Sequence, residues 1–299
     1  MTALLSLITV LAWGTWIPVA QAVPGVPQRT RTLYVTVGNV MFAGAVLAVA
    51  GGHLAFGWRT FWLPLVGGLV WTLGNYCAFQ ASEAIGLARA AGSWTPLNII
   101  IAFAWGAALF GELDRFTGTR FAILAGALLL VVTGVLVIVR SQGAGTAAGP
   151  AAGPAAGTYR RGLIWAAGAG VLWGSYFVPA QWAGVSAQVG NFPLAVGILV
   201  GGLALAVSGG RPVRLDAKGV TTHLLAGLLF GIGNLALLGL VSRVGTGAGF
   251  TIGQLSLLVN ASVGIWVFRV PPPGSFAAKL VMTGILIAGA GGAVIGTLR

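Results

Sequence analysis

The segment Trp13–Gln21 reads WGTWIPVAQ, and the segment Trp173–Gln181 reads WGSYFVPAQ. Both copies sit within long apolar runs, and they are not the only echo. Gly74-Asn75 followed by Gly86 returns as Gly233-Asn234 followed by Gly245, so the offset between copies holds at 159 to 160 residues. A chain of this kind folds as one hydrophobic unit used twice. Within a membrane, such duplication is the usual mark of a transporter.

Composition puts the chain in a membrane. Its residues are 57% hydrophobic and 7% charged, with a mean hydropathy of +0.95, whereas soluble domains carry about 25% charged residues. An apolar stretch of roughly 20 residues crosses a bilayer core. Ten such runs are expected, at about 3–23, 33–52, 61–81, 90–111, 120–139, 161–182, 190–208, 222–242, 248–268 and 278–297. The first is read as a retained span rather than a signal peptide, although Ala20-Gln21-Ala22 resembles a cleavage site, because the same segment recurs internally. The 49 glycines suit close helix packing in lipid, where small residues let backbones approach.

The net charge of +12 does not indicate nucleic acid. The 16 Lys and Arg residues fall in short connections and at span ends, where they set orientation and meet anionic lipid. No basic face on a soluble domain can be drawn. Cys77 is the sole cysteine, which excludes an intrachain disulfide and a cysteine metal cluster.

The fold class expected is an all-α integral membrane protein of ten transmembrane helices. Residues 1–140 form a first five-helix repeat, the Gly/Ala/Pro-rich stretch 141–159 a linker, and residues 160–299 a second repeat. Five spans per half is an odd number, so the second half enters from the opposite side and the repeat is inverted. Counting cations in alternate loops places both termini outside, with eleven cations inside and five outside.

Polar groups deep in spanning helices are costly unless they face a cavity or a partner. Trp71, Asn75 and Ser82 share one face of the third span, echoed by Phe230 and Asn234 in the second half. Trp94, Asn98 and Trp105 align on the fourth span, and Gln254 and Asn260 stand on its counterpart. In the duplicated opening, Trp13 and Trp16 match Trp173 and Tyr176, and Gln21 matches Gln181. Pro18 and Pro179 are expected to interrupt the helix near each glutamine. Indole faces stack on the C–H face of a sugar while amides bond its hydroxyls, so these positions are the candidate solute-binding wall. The alternative for the asparagines is a bond to a neighbouring helix. Trp58, Trp62 and Trp165 read as interfacial anchors.

The four acids are Glu83, Glu112, Asp114 and Asp216, all near span ends, as are His53 and His223. Glu83 is the candidate gate or coupling residue, with Arg89 six residues on as an ion-pair partner; the alternative is a plain interfacial charge pair. A proton or sodium ion is an open coupling partner. No metal motif and no nucleophile beside a His base is present, so no catalytic residue, metal or cofactor is expected.

The WGTW opening at Trp13–Trp16, the segment WTLGNYCAFQASEAIGLARA at Trp71–Ala90 and WGAALFGE at Trp105–Glu112 together resemble the drug/metabolite transporter superfamily. Within it the chain is most similar to the bacterial glucose/ribose porter family of sugar uptake proteins. The resemblance implies a ten-helix basket around a central cavity, alternating access, a sugar or similar polar solute, and a multi-pass place in the bacterial inner membrane. It also implies termini in the cytoplasm, against the cation count. In the second half the Phe-Gly-Glu ending of the fourth span is replaced by Phe268-Arg269-Val270 and three prolines. The alternatives are an exporter of amphipathic metabolites or drugs, and a non-transporting scaffold or lipid-modifying enzyme. Oligomeric state is left open.

Overall fold

The computed structural model describes residues 1–51, 56–111, 117–141, 156–208, 213–244 and 246–298. It is all-helical, with no strand among the described residues. His53, Glu112, Asp114, Arg115, Arg211, Gly245, Arg299 and most of the linker lie outside the described residues. The linker stretch Ala156–Tyr159, expected to be irregular, instead forms the start of a helix.

In the first half, α1 spans Thr2–Gln21 and α2 Gln28–Val49. A π-helical turn at Trp58–Trp62 leads into α3, Leu63–Ile85, followed by α4, Leu87–Phe110, and α5, Gly118–Arg140. Gly86, at φ +80°, ends α3 and starts α4 without a loop. Only a residue tolerant of positive φ permits so abrupt a junction.

In the second half, α6 covers Ala156–Trp173 and α7 Val178–Trp182; α8, Ala187–Ser208, and α9, Ala217–Val244, follow. The next segment is built from α10, Thr246–Gln254, α11, Ser256–Ser262, and a π turn at Val263–Val267, before α12, Phe276–Thr297.

Eight of these segments are long and apolar enough to cross a membrane, against the ten uninterrupted runs expected. The ninth expected run is broken at Leu255 into α10 and α11. The third, α3, falls short in apolarity because Thr72, Asn75, Tyr76, Gln80 and Glu83 are set along it. Burial explains how it carries Thr72 and Asn75, whereas Tyr76 and Gln80 are half-buried and Glu83, near the helix end, is exposed. Trp71, Thr72, Asn75, Ala78, Phe79 and Ser82 are covered by other helices, so this face has no lipid to satisfy.

The prolines of the duplicated opening behave differently from one another. Pro18 lies inside an unbroken α1, whereas the copy breaks over 174–177 and restarts with Pro179 in the first turn of α7. Aligned on the tryptophans, Pro18 corresponds to Val178 and Pro179 to Val19. The ring therefore removes a backbone donor at a different register in each half.

Helix pairing crosses between the halves in a reciprocal way. α1 packs on α9 and α6 on α3; α2 packs on α9 and α8 on α3; α2 meets α8, and α5 meets α12. The tightest approaches repeat at an offset of 159. A Cβ on Gly68 would overlap the Leu194 carbonyl oxygen, and one on Gly227 would overlap that of Val35. The same holds for Gly38 against Leu224 and Gly197 against Leu65. Without a hydrophobic drive between helices in lipid, backbone-to-backbone packing of this kind supplies the adhesion.

Candidate functional site

Reciprocal packing brings α1, α3, α6 and α9 together at the centre, and each delivers an aromatic ring there. Trp16 lies 5.7 Å from Trp71, 6.0 Å from Trp173 and 5.4 Å from Phe230, centroid to centroid. Trp71 stacks on Trp173 at 6.1 Å and tilts against Phe230 at 4.2 Å, while Trp94 meets Trp173 edge-on at 5.5 Å. These separations are typical of favourable aromatic pairs. The cluster is deeply buried: Trp16, Trp71, Trp94 and Phe230 are each at most 3% exposed.

Beside this cluster lies a narrow central pocket with a cavity volume of about 40 Å³, room for a few waters and smaller than a monosaccharide. Of the sequence-predicted residues it gathers Trp13, Trp16, Trp71, Trp94, Asn98, Trp173, Tyr176, Gln254 and Asn260, with Thr95 and Phe230 beside them. Every residue lining it is electrically neutral at pH 7. Three polar atoms in this wall are buried without a hydrogen-bond partner among the described residues: the Trp13 Nε1 donor and the Asn98 and Asn260 Oδ1 acceptors. Leaving a buried polar group unpaired costs about 1–3 kcal/mol. Three of them in one pocket suit a ligand that carries both acceptors and donors.

The two halves differ here. Trp173 Nε1 donates to the Trp71 carbonyl at 3.2 Å, whereas Trp13, its partner in the repeat, keeps its donor unused. Asn260 Nδ2 is spent on the backbone, donating to Ser256 at 3.2 Å and to Trp13 at 3.4 Å, which fixes the amide and leaves its oxygen free.

Four predicted residues lie elsewhere. Asn75 is fully buried and donates to Thr32 Oγ1 at 3.4 Å, so it ties α3 to α2 and does not border the central pocket. Asn234 makes the equivalent bond to Asn191 Oδ1 at 3.3 Å, and its own oxygen accepts from the Tyr176 hydroxyl at 3.3 Å. With Gln181, Asn191 and Asn234 border a second cavity of about 280 Å³, which shares Tyr176 and Phe250 with the central pocket. Gln21 borders a third cavity, of about 300 Å³, together with Gln28, Arg31 and Glu83. Gln21 and Gln181, equivalent positions in the sequence echo, thus border two different cavities.

The expected Glu83–Arg89 ion pair does not form. Glu83 accepts from Gln28 Nε2 at 2.7 Å, and Gln28 in turn accepts from Arg31 Nη1 at 2.9 Å. Arg89 is buried at the start of α4, where it donates to the Ser141 hydroxyl at 3.1 Å and carbonyl at 3.4 Å and so clamps the end of α5. Six residues along two helices joined by Gly86 carry Arg89 away from Glu83. Trp105, aligned with Asn98 in sequence, turns from the pocket and donates to Ser175 Oγ at 2.8 Å. Trp58 and Trp62 are 67% and 47% exposed, as interfacial residues are, while Trp165 packs edge-on against Tyr76 at 5.9 Å.

Sequence reasoning missed Phe250, Ser256, Gln28, Arg31, Asn191 and the buried state of His223, whose Nδ1 lies 2.6 Å from the Gly219 carbonyl oxygen. Asn191 was findable: it stands 159 residues after Thr32, as Asn234 does after Asn75. Phe250 and Ser256 left no comparable signal.

A bundle of apolar helices around a neutral pocket of indoles and amides defines a multi-pass membrane carrier. Comparison with known proteins gives the class a family. A family model described as "Sugar transport protein" matches residues 4–298. The chain is 24% identical over 269 residues to the glucose uptake protein GlcU of Bacillus subtilis, covering 90% of this chain and 89% of that one. It is 24% identical over 301 residues to the "Putative sugar uptake protein lin0215" of Listeria innocua, covering 100% and 99%. A solved crystal structure superposes with a TM-score of 0.64 at 22% identity, over 100% of this chain and 99% of that one, which shows the shared fold. The chain belongs to the sugar transport protein family. It is a membrane sugar transporter rather than an enzyme.

Proposed function

We propose that this protein carries a neutral monosaccharide across the bacterial inner membrane by alternating access, with the sugar held at the central pocket between two inverted five-helix repeats, which widens from its present narrow state to admit it. The observation that carries this reading is the set of three unpartnered polar atoms, Trp13 Nε1, Asn98 Oδ1 and Asn260 Oδ1, beside the rings of Trp16, Trp71 and Trp94. A hydroxyl both donates and accepts, so one sugar can satisfy all three while a C–H face lies on an indole. The names of the relatives, which speak of glucose and sugar uptake, favour the same solute class.

Ten crossings follow if α3 and the α10–α11 segment also span. The reciprocal pairing of α1 with α9 and α6 with α3 supports a pseudo-two-fold arrangement. Five crossings per half then invert the second repeat, so its mouth at Gln181 opens on the face opposite the mouth at Gln21. The expected gating role stays with Glu83 at that mouth, through Gln28 and Arg31, whereas Arg89 serves to join α4 to α5.

The test is counterflow. Proteoliposomes loaded with unlabelled glucose or ribose should take up the labelled sugar from outside faster than empty ones, because a carrier returns loaded. Equal rates in loaded and empty vesicles, or efflux of dyes with no sugar exchange, would contradict the proposal.

A further inference from the structure

The cavity at the Gln21 mouth has chemistry that the central pocket lacks. Four polar side chains from three helices converge on it: Gln21 at the end of α1, Gln28 and Arg31 at the start of α2, and Glu83 near the end of α3. Arg31 is 94% buried in effect, being 6% exposed, and its guanidinium lies over the Phe79 ring with 5.5 Å to the centroid. Its Nη1 and Nη2 are used, on Gln28 Oε1 at 2.9 Å and the Val23 carbonyl at 3.2 Å. Its Nε has no partner among the described residues, and neither does the buried Nε2 of Gln21. Glu83, by contrast, is exposed, and one of its oxygens accepts from Gln28.

We infer that this mouth is a second monosaccharide subsite, separate from the central pocket and present at only one end of the transport path. Arg31 and Gln21, each with an unused donor, border the same cavity as the Glu83 carboxylate, and the arginine and the carboxylate offset one another in charge. Such a lining matches neither an anion nor a cation; it matches a neutral polyol, whose hydroxyls accept from the two donors and donate to the carboxylate. Hydrogen bonds to charged groups are the stronger kind. They can hold a sugar even where water competes.

The opposite mouth is differently built. Gln21 is kept as Gln181 at an offset of 160, but at the offset of 159 that pairs Thr32 with Asn191 and Asn75 with Asn234, Arg31 becomes Gly190, and no charged side chain among the described residues lines the cavity at Gln181. Of the two cavities, only the one at Gln21 therefore carries a charged pair. Sugar arriving or leaving there pauses at the mouth, and at the other cavity it does not.

This inference rests on the sugar-transport reading, and the experiment separates the two. Equilibrium dialysis of the purified full chain in detergent is carried out with labelled glucose and, in parallel, with labelled ribose. Two sugars bound per chain are expected for the wild type with at least one of the probes. Asn98→Leu, which alters the central pocket, and Glu83→Ala, which alters the mouth, should each leave one. Arg31→Met should act as Glu83→Ala does; should that buried change unfold the protein, exposed Glu83 keeps the test decisive. A wild-type stoichiometry of one or zero, or two sugars retained in Glu83→Ala, overturns the subsite. If Glu83→Ala loses one sugar while Asn98→Leu loses none, the mouth stands and the central pocket is the reading that fails.

Discussion

Trp13 and Trp173 occupy the same place in the two copies, yet only Trp173 has its indole nitrogen bonded within the protein. That difference leaves a buried indole donor without a partner in the wall of the central pocket. Trp13→Phe keeps the ring and removes the donor, so KM for the transported sugar should rise about fivefold, equivalent to roughly 1 kcal/mol. Uptake rates over a range of sugar concentrations would check this; an unchanged KM would show that the nitrogen faces no ligand. Asn75 gives the opposite expectation. Its amide joins α3 to α2 through Thr32, so Asn75→Leu should cost less than about 1 kcal/mol of stability, lower the thermal midpoint slightly and leave KM unaltered. The tryptophans and amides of the central pocket were legible in the sequence because the repeat and the helical spacing pick out positions. Which amide meets solute and which meets a neighbouring helix was not legible. Asn75 and Asn98 look alike along their helices, and only the packing of α2 over α3 separates them.

At the scale of helices, four glycines hold the halves together where backbone meets backbone. Gly68→Ala and Gly227→Ala place a methyl group against a carbonyl oxygen at corresponding contacts, α3 on α8 and α9 on α2. Each is expected to cost about 1–3 kcal/mol, seen as a lowered thermal midpoint in one detergent. Gly126→Ala meets nothing within 4 Å and should leave the midpoint unchanged. If all three variants melted alike, close approach would not be what binds these helices. The glycine content announced tight packing, but the contacts themselves depend on partners some 126 to 192 residues away in sequence, beyond any local pattern. The breaks at 174–177 and at Leu255 were equally hidden. Apolar runs record length and composition, not whether a helix stays whole.

For the whole molecule, the apolar runs made a membrane bundle legible, and the echo at Trp173 made the duplication so. The α3 segment shows the limit of that signal, since a central helix can be polar because other helices, not lipid, surround it. An inverted ten-crossing arrangement places both termini on one face and puts loops 22–27 and 183–186 on opposite faces. Reporter fusions at both ends, with impermeant labelling of cysteines introduced in the two loops of a Cys77→Ala background, should show this pattern. Termini on opposite faces would mean an odd number of crossings and remove the pseudo-symmetry between the two mouths.

The claim on which the rest depends is that sugar sits between Trp13, Asn98 and Asn260. Its most direct test is initial uptake of labelled glucose and ribose into proteoliposomes holding equal amounts of folded wild type and of the double variant Asn98→Leu with Asn260→Leu. With roughly 1.5 kcal/mol or more lost at each amide, kcat/KM should fall at least about 100-fold. Uptake by the double variant within twofold of the wild type would place the sugar somewhere else in the protein.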